Sequence, residues 1–162
     1  MKKRLIATLL LVILTFGLLA TTGCSNEYIM TANGEKMDAG YYSFYVHWQR
    51  DYYKELLKSY GYDITTNMDT YFTSTETVQQ CIVSTAKTQY LSFVAVTKKF
   101  EELNLSLTEE QLAEINTLYN DEWLKTYGEA GMKNILKTLG LKKDQFMEIL
   151  SVQAKSDAIL EY

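Results

Sequence analysis

The sequence predicts a mainly α-helical domain, a short N-terminal β-hairpin followed by about five helices, carried behind an export signal. Three observations lead there. Apolar residues recur at steps of three and four through most of the chain beyond residue 39. Proline is absent from all 162 residues, where ordinary usage would supply about eight. Helices therefore run without that breaker, and no Pro-rich linker marks a second domain. Finally, Asn33-Gly34 separates two short β-prone runs, and Asn-Gly suits a tight hairpin because both turn positions need positive φ.

The amino terminus carries an address. Lys2, Lys3 and Arg4 precede residues 5–20, which hold no charge, and Thr21-Thr22-Gly23-Cys24 follows. Positive charge, a short apolar run and small residues form the layout of an export signal. The run is shorter than the roughly 20 apolar residues that span a bilayer comfortably. With Cys24 directly after Gly23, the segment resembles a bacterial lipoprotein signal, which implies that Cys24 is lipidated and tethers the chain to the extracytoplasmic face of the cell membrane. Thr21 stands where that pattern prefers Leu. Plain secretion and an uncleaved anchor are the alternatives. The expected plan is a signal over 1–23, a short tether over 24–27 and one helical domain over 28–162, long enough for a real core.

Each element can be justified in order. Tyr28-Ile29-Met30-Thr31-Ala32 is β-prone, and Glu35-Lys36-Met37 supplies the return strand. Asp38 fits a helix N-cap. A first helix over 39–60 carries Tyr42, Tyr45, Val46, Gln49, Tyr52, Tyr53, Leu56, Leu57 and Tyr60 in one wide stripe, and Gly61 ends it. Residues 61–75 read as a loop with a turn of helix near 68–72. A second helix over 76–103 places Val78, Ile82, Ala86, Gln89, Phe93, Val96 and Phe100 on one face. Thr108 with Gln111 forms a capping box for a third helix, with Leu107 and Leu112 as a hydrophobic staple. Its stripe is Leu112, Ile115, Tyr119 and Trp123. After Gly128 a shorter helix covers 129–139 and stops at Gly140. A last helix from Lys143 gathers Phe146, Ile149, Leu150, Gln153 and Leu160.

Charge and cysteine use exclude several functions. The whole chain has net charge −4 from 16 basic and 20 acidic residues. Three of the basic residues lie in the signal, so the remainder is 13 minus 20, or −7. So acidic a body is a poor ligand for nucleic acid or for anionic lipid headgroups. Apart from Cys24, the sole cysteine is Cys81, between Val78 and Ile82. One thiol makes no internal disulfide, and its apolar context reads as a small buried hydrophobe.

Catalytic chemistry finds little support. The single histidine, His47, lies within the first helix, and no spacing recommends it with Cys81 as a nucleophilic pair. Glu109, Glu110 and Glu114 cluster at a helix start, where the helix dipole alone explains them. No P-loop, EF-hand loop or Gly-rich phosphate cradle is present. No catalytic residue, cofactor or metal is therefore expected.

The aromatic content is the unusual quantity. Of 13 tyrosines, many crowd into the first helix beside Phe44 and Trp48. If Tyr42, Tyr45, Tyr52 and Tyr53 face the core, Tyr41, Phe44 and Trp48 occupy the other side. Such amphipathic, stiff side chains suit either a small core filled by large rings or a surface that holds varied apolar peptides. Tyr41, Phe44, Trp48 and Tyr52 are the candidate peptide-binding residues.

Taken in order, the motifs resemble those of the N-terminal chaperone domain of SurA/PrsA-type extracytoplasmic foldases, which is related to the peptide-binding domain of trigger factor. The likeness rests on Ala32-Asn33-Gly34-Glu35-Lys36-Met37 before a Tyr-rich helix. It continues through Lys99-Phe100-Glu101-Glu102-Leu103-Asn104-Leu105-Ser106-Leu107-Thr108-Glu109-Glu110-Gln111-Leu112 and Leu139-Gly140-Leu141-Lys142-Lys143-Asp144-Gln145-Phe146. Asn104 stands where the family often has Gly, and Lys142 replaces a capping Ser or Thr.

The resemblance implies a membrane-tethered, ATP-independent chaperone that binds unfolded segments of newly exported proteins. Its partners would be those polypeptides and the membrane, with a homodimer as a further option. In the family a parvulin-type prolyl isomerase domain usually follows, and isomerase activity is not carried over to residues 28–162. One alternative is the N-terminal part of such an isomerase, its catalytic domain lying beyond Tyr162. Another is an envelope lipoprotein that recognises one fixed partner.

Overall fold

A computed structural model describes residues 28–32 and 35–162, with side chains from Asp38 onward. The expected signal over 1–23, the expected lipidation residue Cys24, the expected tether over 24–27 and the expected Asn33-Gly34 turn lie outside the described residues. Strands β1 (Tyr28–Ala32) and β2 (Glu35–Asp38) pair antiparallel, with Ala32 opposite Glu35 and an irregularity between Tyr28 and Met30. The rest is mainly helical. In order come α1 (Ala39–Ser59), α2 (Ile64–Asn67), α3 (Val78–Glu102) and α4 (Glu109–Thr117), then a π-helical turn (Leu118–Leu124), α5 (Lys125–Leu139), kinked at the expected Gly128 where φ is 68 and ψ 169, α6 (Lys143–Leu150) and α7 (Val152–Glu161).

Local chemistry fixes the helix starts. The Asp38 carboxylate accepts from the Gly40 and Tyr41 amides, and the Asp38 amide donates to the Tyr90 hydroxyl at 3.0 Å. This one residue thus ends β2, caps α1 and ties both to α3. Reciprocal capping boxes open α3, through Thr77 and Gln80, and α4, through Thr108 and Gln111. At α6 only half of that device exists. The Gln145 side chain accepts from the Lys142 amide at 2.9 Å, but Lys142 has no side-chain acceptor to return.

Helix ends share one geometry. After α3, the Leu105 amide reaches back to the Phe100 carbonyl and the Asn104 amide to the Glu101 carbonyl, the paired bonds of a Schellman motif. Asn104 sits at φ 52, so it supplies the left-handed residue that Gly supplies elsewhere, as Asn readily does. Gly140 does the same after α5 at φ 70, with Leu141 bonded to the Leu136 carbonyl.

Several expectations are corrected by packing. The short helix of the loop falls at Ile64–Asn67, not 68–72, because Asp63 caps it through the Thr65 amide at 2.8 Å. The last helix is two. Ser151 is buried, its hydroxyl donates to the Glu148 carbonyl at 2.7 Å, and such back-bonding bends a helix. The chain beyond therefore leaves the α6 axis and lies along α3. That turns Gln153 and Leu160 out of the expected stripe, Leu160 being 82% exposed. Leu112 is likewise exposed, not part of a buried stripe.

The core divides into two clusters. The larger gathers Phe44 and Tyr45 of α1, Ala86, Tyr90 and Phe93 of α3, Tyr119, Met132 and the wholly buried Phe146. The smaller, at the far end of α1, contains Tyr53, Leu57, Ile64, Val78, Cys81 and Ile82. Phe44 and Tyr45 are both buried although adjacent in sequence. The expectation that Phe44 lies on the outer side is therefore overturned. α1 packs against α3 on one flank and against α5 and α6 on another, so it buries two rows of side chains, not one. Tyr52, expected inside, is exposed.

Candidate functional site

The candidate site grows from two aromatic residues one helical turn apart. Phe44 and Trp48 lie at i and i+4 on α1, where side chains meet, and their rings stack with centroids 5.9 Å apart. Phe44 is held below by Phe146 at 5.7 Å, edge to face. A second chain segment completes the arrangement. The π-helical turn brings Trp123 to 6.3 Å from Trp48 and 4.9 Å from Phe146. Tyr127, again four residues on, lies 5.9 Å from Trp123.

The product is an aromatic ridge, Trp48–Trp123–Tyr127, with a concavity on each side. The larger is a groove of about 720 Å³ between α1, α3, the π-helical turn and α7. Phe44, Phe93 and Ile149 are its buried base, and Ser92, Gln153 and Ser156 bring hydroxyl and amide groups to it. The smaller, about 350 Å³, lies between α1 and α5 and is lined by His47, Asp51, Asn134 and Thr138 beside the same ridge. Both open to solvent: Trp48 and Tyr127 are each 51% exposed.

Two features hold the base rigid. Gln49, buried among apolar side chains, donates from Nε2 to Gln89 Oε1 at 2.9 Å. A satisfied amide pair of this kind fixes the register of α1 against α3, since sliding would leave both groups unpaired in an apolar seam. Tyr41 donates its hydroxyl proton to the Glu148 carboxylate, whose other oxygen pairs with the Lys155 ammonium at 3.5 Å. This chain of contacts links α1, α6 and α7. Burial first, and then Glu148, raise the Tyr41 hydroxyl well above the ordinary tyrosine range. Tyr45 is raised too, chiefly by burial.

The expected contact residues separate accordingly. Phe44 and Trp48 belong to the site, one as base and one as ridge. Tyr41 is half-buried against Phe93, ring centroids 5.0 Å apart, and lines neither concavity. Tyr52 is exposed and packs edge to face on Tyr53 at 5.5 Å, away from the ridge. Trp123 and Tyr127 are the residues that sequence reasoning missed as site residues. Their i, i+4 spacing was the available signal, but Trp123 reads equally well as part of a core stripe.

Nucleophilic chemistry has no assembled centre among the described residues. His47 is exposed on α1, whereas Cys81 is buried in the smaller core cluster with its sulfur 4.0 Å from Glu76 Oε2. No group of three or more His, Cys, Asp and Glu side chains among the described residues is placed to hold a metal ion. No helix among the described residues is long and apolar enough to cross a membrane. Compared with known families, with curated proteins and with solved structures, the chain matches none.

Proposed function

We propose that this chain is a membrane-tethered, ATP-independent chaperone domain of the SurA/PrsA type, which binds unfolded segments of exported proteins. The observation that carries the reading is the open groove of about 720 Å³ beside the Trp48–Trp123–Tyr127 ridge. Large, stiff rings with polar tips give contact area at low conformational cost and tolerate varied partners. The hydroxyl and amide groups of Ser92, Gln153 and Ser156 are suited to the backbone of an extended peptide, while the buried base accepts apolar side chains. The acidic balance of −7 after the signal, from 13 basic and 20 acidic residues, keeps a protein soluble while apolar client surface is bound.

The finer fold reading, a domain like the SurA N-terminal one, is part of the same proposal. A strand pair, a long aromatic helix, and a Thr108–Gln111 capping box after the Asn104 turn follow in the order expected of that family. Lipidation at Cys24 would hold the domain close to the membrane face where translocated chains emerge. The test dilutes a denatured client into vesicles bearing the full lipidated chain at stoichiometric ratio, without nucleotide. Suppressed light scattering is expected; unsuppressed aggregation together with no peptide binding overturns the proposal.

A further inference from the structure

We propose that the client segments taken by this site are basic as well as apolar, and that Glu122 and Asp51 are cation subsites on opposite sides of the aromatic ridge. The inference rests on the chaperone reading and names its substrate class. Glu122 is the charged side chain lining the larger groove, and Asp51 the acidic one lining the smaller hollow. No lysine or arginine among the described residues lines either. Neither carboxylate forms an ion pair or side-chain hydrogen bond among the described residues. Both are exposed, so each is hydrated and available.

Their placement beside the ridge follows from the helices. Asp51 lies three residues after Trp48 on α1 and so shares its face. Glu122 immediately precedes Trp123 in the π-helical turn, one turn before Thr126, which also lines the groove. Lysine and arginine lay apolar stems along hydrophobic surface while the charged head seeks water or an anion. A stem resting on Trp48 or Tyr127 brings its head to a carboxylate at the rim. The ring faces favour that cation as well, and arginine stacks on indole while pairing with a carboxylate. A client carboxylate placed there meets like charge, with no lysine or arginine among the lining side chains and the imidazole of His47 alone beside Asp51. An extended segment that straddles the ridge can use both subsites.

Two fluorescent peptides with one apolar core test this, one flanked by lysines and one by glutamates, titrated against the full lipidated chain. The lysine-flanked peptide should bind more tightly, with a contribution of up to about fivefold from each exposed pair. That preference should shrink in high salt. Glu122→Gln and Asp51→Asn should each remove about that factor, whereas Glu101→Gln, exposed but lining neither concavity, should leave it. A preference that Glu101→Gln lowers as much as the other two would reflect overall charge and overturn the subsites. Equal affinity for the two peptides overturns this inference but leaves the chaperone reading standing. Binding of neither peptide, or self-association that fills the groove with a second copy, overturns both.

Discussion

Trp48 of α1 and Trp123 of the π-helical turn face each other with ring centroids 6.3 Å apart and planes inclined by 34°. Both residues line both concavities. Trp123 is anchored from beneath by Phe146, which is wholly buried. Trp48 is supported by Phe44 and presents about half of its surface to solvent. One member of the pair is therefore set on the core and the other is open to solvent.

Replacing the exposed member should separate binding from folding. Trp48→Ala is expected to cost only about 1 kcal/mol of stability, because much of the ring already lies in water. It should weaken peptide binding by about tenfold, as loss of a central aromatic contact does. Trp123→Ala should cost about 3 kcal/mol as well as binding, since it opens a cavity against Phe44 and Phe146. Urea denaturation and peptide titration of the two variants check the contrast.

Phe146→Ala should be the most damaging core change, at about 3–5 kcal/mol. Its ring meets Phe44, Tyr119 and Trp123, so the base of the groove and the ridge loosen together. Leu160→Ala, at a position 82% exposed, should stay within about 0.5 kcal/mol of the parent. Thermal melts of the two variants give the comparison.

Gly40 provides a test in which the sign is informative. Glycine to alanine in a helix interior ordinarily stabilises by roughly 0.5–1 kcal/mol. Here an added Cβ would lie 2.8 Å from the Gly140 carbonyl oxygen and 2.9 Å from Leu141 Cδ2. Backbone must move to admit it, so Gly40→Ala should destabilise by about 1–3 kcal/mol. Gly140→Ala should cost roughly 1–2 kcal/mol for a different reason, its left-handed φ of 70. Denaturant midpoints of both variants decide this.

Alkaline pH should unfold the domain through its buried tyrosines. Burial, assisted at Tyr41 by Glu148, raises the Tyr41 and Tyr45 hydroxyls in the folded state. Above about pH 10 the unfolded chain releases these protons while the folded one retains them. The unfolded state then binds fewer protons, so stability falls as pH rises through that range and is fully present below it. Tyr41→Phe should lower stability at neutral pH by about 1 kcal/mol, through the lost bond to Glu148, and flatten the alkaline decline. Denaturation curves between pH 8 and pH 11, a window set about the ordinary tyrosine pKa, report both effects.

Local signals made much of the helical part readable. Thr108 begins a helix that its own side chain caps, and Asn104 and Gly140 end helices where a left-handed residue is required, whereas the helix expected from residue 76 starts only after its Thr77 cap. What periodicity does not convey is which row of an all-aromatic helix is covered. Phe44 and Tyr45 are both buried because α1 has neighbours on two flanks, and that is a property of the assembled domain. The bend at Ser151 depends on a side chain bonding to its own helix, which composition does not reveal. The groove was hidden for the same reason. Trp48 and Trp123 come from distant segments, and the π-helical turn that aims Trp123 leaves no mark in a repeat of 3.6 residues. The Gln49–Gln89 bond was half visible, as one glutamine within each of two apolar stripes.

Whether unfolded clients lie on the Trp48–Trp123–Tyr127 ridge is decided by site-specific photo-crosslinking. A photoreactive phenylalanine analogue is placed in turn at position 48, at position 127 and at the exposed control position 101. Each full chain is then irradiated with a denatured client. Strong client adducts are expected at 48 and 127, competed by an excess of apolar peptide, and none above background at 101. Adducts equal at all three positions, or absent from 48 and 127, would contradict binding at the ridge.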